Sequence, residues 1–476
     1  MFDDFERFVG RYALGFERGG GSSHFLRIKV KAAELSAGQA RAIAELAEDF
    51  SKGYIELTTR HDIQLHWIRD EDAPSIFSRL EELGFTTDMC GQAYPGARYG
   101  DVRNVVTCPV SGLERDELVD TRAMVRDLVD FFTGKQEYLD LPRKFKISVS
   151  GCPINCVKPE VHDLSFVGTE GGAAFAVYVG GGMGYPPILA KPLGVIVYPE
   201  EVLEFARNVV EFYRDEGPRD NKQRARFKWV VERLGVDRVR DEVERRAGRR
   251  FERAKYGEPL DWGEHVGVCE QKQAGLYYVV VPVPVGRLSA RQLRAVADLA
   301  ERYGSGELRV SPLQKLVMVN VRGHDLEPLR RGLSEVGFDL NAPPLRWTTV
   351  ACSGYLCGKA PEDVKSRALE IERHLERALG SNVGRAFLRL CVSGCPNACA
   401  LYNVADIGLV GTRVTTSGGS APAYDVYVAD GSKISKLHSK GVPADRVKFL
   451  VEELVRARLG ADNLPNSSLE VGHDGH

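Results

Sequence analysis

The chain is predicted to be an α+β protein with a pseudo-twofold plan. Three features carry that reading: an internal repeat, β-like runs alternating with amphipathic helices, and a Cys-Pro motif in each half. Residues 35–48, from Leu35-Ser36-Ala37 to Leu46-Ala47-Glu48, recur at 288–301, from Leu288-Ser289-Ala290 to Leu299-Ala300-Glu301, an offset of 253 residues. The run Val149-Ser150-Gly151-Cys152-Pro153 recurs as Val392-Ser393-Gly394-Cys395-Pro396, an offset of 243, and the likeness continues through Asp163 and Gly168 against Asp406 and Gly411. Two similar offsets in the same order imply a duplication.

Each half opens with a β-like run (25–30 and 277–283), continues with the repeated helix, and returns to a β-like run (54–67 and 307–321). Each then enters a larger α/β segment in which the Cys-Pro motif ends a strand, 144–150 or 387–393, where chemistry is commonly placed. A chain of 476 residues exceeds what one core serves, so several domains are expected. Residues 214–253 are dense in charge with apolar residues at helical spacing and read as a pair of solvated connecting helices. The tail 461–476 has little to bury and is expected to be loosely ordered.

Hydrophobic residues make up 43% and charged residues 27%, and 64 Lys plus Arg against 66 Asp plus Glu leave a formal net charge of -2. That balance argues against a nucleic-acid binder. The start Met1-Phe2-Asp3-Asp4-Phe5-Glu6 is acidic and has neither signal-peptide nor transit-peptide character, so a cytoplasmic location is expected. The most apolar stretch, 276–285, is too short to span a bilayer and contains Pro282 and Pro284, so no membrane anchor is expected.

Ten cysteines in such a chain point to metal or redox chemistry more than to disulfides. The second half supplies two pairs, Cys352 with Cys357 and Cys395 with Cys399, the latter shaped by Gly394 and Pro396. Four soft thiolates suit an iron–sulfur cluster, and zinc also accepts such a set. The reserve ligand is Cys391. The first half keeps Cys108, Cys152 and Cys156, which read as a relic without a cluster; Cys90 is the one fourth partner in view. Lys144 and Lys146 alternate onto one face of the run 144–150, and two adjacent ammonium groups are unfavourable without an anion between them.

The duplicated pattern, together with Leu57-Thr58-Thr59-Arg60, Leu141-Pro142-Arg143-Lys144-Phe145-Lys146 and Gly394-Cys395-Pro396-Asn397-Ala398-Cys399, resembles the nitrite/sulfite reductase family over about residues 25–454. The chain looks most like the single-chain ferredoxin-type sulfite reductases. The resemblance implies siroheme and a [4Fe-4S] cluster held by Cys352, Cys357, Cys395 and Cys399, with Cys399 shared between cluster and siroheme iron. It divides the chain into a ferredoxin-like half-domain (1–92), a siroheme-binding domain with connecting helices (93–260), a second ferredoxin-like half-domain (261–342) and a siroheme and [4Fe-4S] domain (343–476). The family separates its first two cysteines by five residues, whereas four lie between Cys352 and Cys357.

By the same resemblance, Arg60, Arg103, Lys144 and Lys146 form a basic pocket over the siroheme. The arginines are assigned to binding and polarisation, the lysines to binding and proton delivery. Asn397, Arg143, Gly180, Gly181, Gly182 and Lys191 are the further cofactor-binding candidates, since siroheme carries eight carboxylates and glycines let backbone N–H groups approach them. A Lys at position 146, where plant-type nitrite reductases carry Asn, favours the sulfite dianion over nitrite. No Gly-x-Gly-x-x-Gly between strand and helix is evident, so electrons are expected from ferredoxin or a similar small carrier. The alternatives are a ferredoxin-nitrite reductase making ammonium, a precorrin-3B synthase-like oxygenase, and a non-catalytic siroheme or iron–sulfur carrier.

Overall fold

The computed structural model describes residues 8–17, 21–89, 100–169, 171–172, 174–256, 262–380, 382 and 388–461. Cys90 and most of the tail lie outside these residues. The first small unit is built on His24–Lys29, which pairs antiparallel with Asp62–Ile68, which in turn pairs with Tyr54–Leu57. The sequence run 54–67 is therefore two strands. The turn between them is made by Thr58, whose Oγ1 accepts from the backbone N–H groups of Arg60 (3.2 Å) and Asp62 (3.0 Å), while His61 takes the left-handed region at φ 61°. A hydroxyl that satisfies two turn donors stabilises the reversal without a glycine.

Helix Ala37–Phe50 starts with a capping box: Ser36 Oγ accepts from Gln39 N–H, and Gln39 Oε1 accepts from Ser36 N–H. Its duplicate, Ala290–Tyr303, starts with the same box from Ser289 and Gln292. The two helices bury Ile43, Ala44 and Ala47 with Val296, Ala297 and Ala300 in one core. Small residues at these positions let the helix backbones approach closely. The two halves also exchange strands. Arg287–Ser289 of the second half pairs with Tyr54–Leu57, and Glu34–Ser36 of the first half pairs with Glu307–Val310. Neither small unit closes its sheet with its own residues.

The larger segments repeat one topology. In the first, Val106–Thr107, Ile147–Ser150 and Leu164–Gly168 run parallel, followed antiparallel by Phe175–Val179 and Lys191–Val197. In the second, Val350–Ala351, Leu390–Ser393 and Ile407–Thr416 run parallel, followed antiparallel by Gly419–Val428 and Lys436–Pro443. Each Cys-Pro motif leaves the carboxyl end of a central strand, the edge at which α/β sheets place their sites.

Two expectations need correction. The strand holding the Lys-x-Lys motif begins at Ile147, and Phe145 makes only an isolated bridge to Val102, so both lysines lie on the lead-in. Residues 214–253 are not simply solvated. Helix Phe227–Ala247 buries Phe227, Val230, Val231, Val239 and Val243 against the first large sheet, and Gly235 breaks its geometry at φ 79°. Among the described residues, no helix is long and apolar enough to cross a membrane.

Candidate active site

The hairpin turn after Tyr54–Leu57, the lead-in to Ile147–Ser150 and the two cysteine loops of the second half meet around a cavity of about 390 Å³. Arg60, Arg103, Arg143 and Lys144 line it together with Cys352, Cys357, Cys395, Asn397 and Cys399. Thr59 and Arg60 also border a smaller cavity, which Lys146 and His162 line. Thr59 Oγ1 donates to the carbonyl oxygen of Cys399 at 3.1 Å and so fastens the basic turn of the first half to the cysteine loop of the second.

Buried carboxylates set the two arginines. Arg60 Nη2 reaches Asp88 Oδ2 at 3.0 Å and Asp62 Oδ2 at 3.2 Å, and Arg103 reaches Asp88 at 3.4 Å and Asp101 at 3.1 Å. Asp62 and Asp88 are 0% exposed. Burial opposes ionisation of Asp88, but Arg103 and Arg60 hold its carboxyl well below the usual range. Burial and the neighbouring Asp88 push Asp62 the other way. Arg60 Nε is buried and has no hydrogen-bond partner among the described residues, which leaves a donor for a ligand.

No ion pair or hydrogen bond is formed by the Lys144 or Lys146 ammonium with any described residue. Burial and the adjacent Lys146 push Lys144 well below the ordinary lysine range. Burial, Arg60 and Arg226 push Lys146 down to about 7. Desolvation and like charge act together here, and an arriving anion relieves both.

On the cysteine side, Gly394 N–H donates to Cys352 Sγ at 3.2 Å. A side chain at Gly394 would bring Cβ to 2.4 Å from that of Ala360, so only glycine allows the loops this close. Ala398 and Leu401 adopt left-handed conformations, φ 53° and 57°, which turn the loop so that Cys399 is exposed to the cavity. Burial raises the thiols of Cys352, Cys357 and Cys395. For Cys399, Lys144, Lys146, Arg27 and Arg60 outweigh burial and lower the thiol, favouring thiolate. Four thiols on one wall, with cations and an unused buried guanidinium donor opposite, fit an iron–sulfur cluster beside a carboxylate-rich macrocycle.

Other candidates lie elsewhere. Gly180, Gly181, Gly182 and Lys191 do not line this cavity. Gly180 packs on Val231, Gly181 crosses the backbone of Glu160 and His162, and the Gly182 carbonyl accepts from Lys228. Lys191 pairs with Glu232 at 2.6 Å on the surface. Their observed contacts are internal packing and a surface ion pair. Cys391 is buried and borders the smaller cavity, apart from the other four thiols. Sequence reasoning missed Asp62, Asp88, Asp101 and His61. His61 Nδ1 faces the Val310 carbonyl while Nε2 accepts from Thr107 N–H at 3.0 Å, tying the turn to both halves.

The chain matches the family description "Nitrite and sulphite reductase 4Fe-4S domain" over residues 99–251 and "Nitrite/Sulfite reductase ferredoxin-like half domain" over 17–83 and 270–336. A ferredoxin–nitrite reductase from Leptolyngbya laminosa is 35% identical, covering 92% of this chain and 86% of that protein. The chain belongs to the nitrite/sulfite reductase family. A relative named sulfite reductase [ferredoxin] in Mycobacterium tuberculosis is 31% identical, covering 90% of this chain and 78% of that protein. The solved structure of the Mycobacterium tuberculosis NirA protein overlays with a TM-score of 0.85 at 28% identity, covering 96% of this chain and 86% of that one. This is therefore an oxidoreductase with duplicated ferredoxin-like half-domains. The cofactors of its family are siroheme and a [4Fe-4S] cluster.

Proposed function

We propose that this chain reduces sulfite to sulfide by six electrons, drawing them from ferredoxin or a similar small carrier. The observation that supports the reading is Lys144 and Lys146, whose ammonium groups form no ion pair with any described residue and which line two cavities that share Thr59 and Arg60. Sulfite is divided between the dianion and bisulfite near neutral pH, and its sulfur falls from oxidation state +4 to -2. Two buried lysines whose charge is disfavoured by burial and like charge are held protonated more strongly by a dianion than by a monoanion.

Siroheme joined to a [4Fe-4S] cluster supplies, when bound, a metal centre for the anion and a path for electrons one at a time. Cys352, Cys357, Cys395 and Cys399 would hold the cluster, and Cys399, the thiol held lowest by its cationic neighbours, would be the shared ligand. Arg143 and Asn397 border the same space for the macrocycle. Arg60 and Arg103, fixed by Asp88, orient the oxyanion through planar donors. Lys146, with its ammonium pushed down to about 7, releases a proton to a departing oxygen more readily than an ordinary lysine.

The second reading is nitrite reduction to ammonium, favoured by relatives named ferredoxin–nitrite reductase at 35% identity. Anaerobic turnover with reduced methyl viologen tests the proposal. Sulfide release with the higher kcat/KM for sulfite supports it, and a higher kcat/KM for nitrite overturns the substrate assignment.

A further inference from the structure

We propose that the first half carries a second metal site, in which Cys108, Cys152, Cys156 and His265 hold one divalent transition-metal ion, zinc by ligand set, in a tetrahedral array. The sequence offers Cys90, outside the described residues, as a fourth partner for the three cysteines. The fold places His265 there instead, from 157 residues away, with Cys108 Sγ and His265 Nε2 3.3 Å apart.

The duplication explains how the thiols are presented. Val106–Thr107 delivers Cys108 just as Val350–Ala351 delivers Cys352. The loop after Ile147–Ser150 repeats the cluster loop of the second half: Asn155 and Lys158 are left-handed at φ 49° and 52°, and Ala398 and Leu401, 243 residues further on in each case, are left-handed at φ 53° and 57°. Cys152 and Cys156 thus occupy the places of Cys395 and Cys399. His265 provides the fourth group.

Distance separates this site from a cubane. The ligand atoms of Cys108, Cys156 and His265 all lie within 4.8 Å of one another; Cys152 falls outside that group but interacts with Cys108 and His265 from the same loop as Cys156. Zinc–ligand bond lengths in a tetrahedron put sulfur about 3.8 Å from sulfur and about 3.6 Å from nitrogen. A cubane places each ligand on a different iron and holds them farther apart. The three cysteines are free thiols, and the four residues are 1%, 3%, 4% and 5% exposed in chain order.

The groups behind His265 are those a metal-bound imidazole uses. Its Nδ1 faces Glu114 Oε2 at 3.3 Å and the Tyr278 hydroxyl at 3.2 Å, and Tyr278 donates to Glu114 at 2.9 Å. A carboxylate on the far ring nitrogen fixes the tautomer that leaves Nε2 for the metal. Thiols buried merely as small apolar groups would need neither this imidazole nor its carboxylate. The site has a structural consequence. Gly263 N–H donates to the Ile154 carbonyl at 2.6 Å and Trp262 to Glu160 at 2.7 Å, and this segment then enters strand Val268–Glu270 of the second half. A metal on His265 pins the crossing between halves to the first-half loop.

Metal analysis of the holoenzyme from zinc-supplemented growth tests the assignment, with zinc-edge X-ray absorption on the same sample. The expected result is about one zinc per chain with three sulfur ligands near 2.3 Å and one nitrogen near 2.0 Å. His265→Ala and, independently, Cys152→Ser should each lower zinc content about tenfold with siroheme absorbance retained. Wild-type protein without zinc overturns the proposal, as does about four irons per chain beyond the siroheme and its cluster. Zinc that survives both substitutions overturns it too.

Discussion

Thr59 donates from its hydroxyl to the carbonyl oxygen of Cys399 at 3.1 Å, so the turn that carries Arg60 is fastened to the loop that carries Cys399. In the proposed function, the anion-binding turn of the first half and the cluster loop of the second meet at this bond. Thr59→Val keeps the shape and removes the donor. A neutral hydrogen bond is worth about 1 kcal/mol, so kcat/KM for the anion should fall about fivefold with siroheme absorbance retained. Steady-state kinetics beside a visible spectrum checks this; unchanged kinetics would remove the coupling role.

Asp88 is shared by Arg60 and Arg103 inside the protein. Asp88→Asn leaves two guanidinium groups facing a neutral amide, and breaking a buried pair costs about 3–5 kcal/mol. Lower stability in urea and a KM for the oxyanion raised about tenfold or more are expected. A normal KM would show that the arginines are placed by other contacts.

Cys399→Ser replaces the thiol that Lys144 and Lys146 hold low. The variant is expected to lose the spectroscopic coupling of siroheme to the cluster, visible in absorption and in paramagnetic resonance. A wild-type spectrum would move the shared ligand to another cysteine.

His61 is fully buried, with Nδ1 facing the Val310 carbonyl and Nε2 facing both the N–H and the carbonyl of Thr107, and burial outweighs these carbonyls in disfavouring the charged ring. Burial lowers it to about 4 from 6.5. Above pH 6.5 the group is neutral in both folded and unfolded chains and contributes no pH dependence. As pH falls from 6.5 toward 4 the unfolded chain takes up the proton first, and stability declines, by about 2 kcal/mol at pH 5. Urea denaturation at pH 7 and pH 5 measures this, and His61→Gln, less stable at both, should lack that share of the acid loss. An equal loss in the variant would assign the dependence to other groups.

Much of this was legible in the chain itself because duplication writes its own pattern. The capping boxes at Ser36 and Ser289 and the Cys-Pro loops repeat closely enough to give fold class and second-half thiols from residues alone. Pairings distant in the chain were not legible. Asp88 lies 28 residues from Arg60, and His265 lies 157 from Cys108, and no local periodicity links such partners. The exchanged strands were invisible for the same reason: Glu34–Ser36 has no local signal that sends it to Glu307–Val310. The glycine run 180–182 shows why composition alone does not assign a role, since glycine serves a close backbone crossing as well as a ligand contact, and Gly181 makes such a crossing.

The proposed selection of sulfite rests on Lys144 and Lys146, which form no ion pair with any described residue. The most direct measurement is the ratio of kcat/KM for sulfite to that for nitrite, in the wild-type enzyme and in Lys146→Asn, with siroheme content matched. The account predicts a ratio above one in the wild type and a fall of about tenfold in the variant, corresponding to about 1.4 kcal/mol of differential binding. A ratio that the substitution leaves unchanged would contradict it.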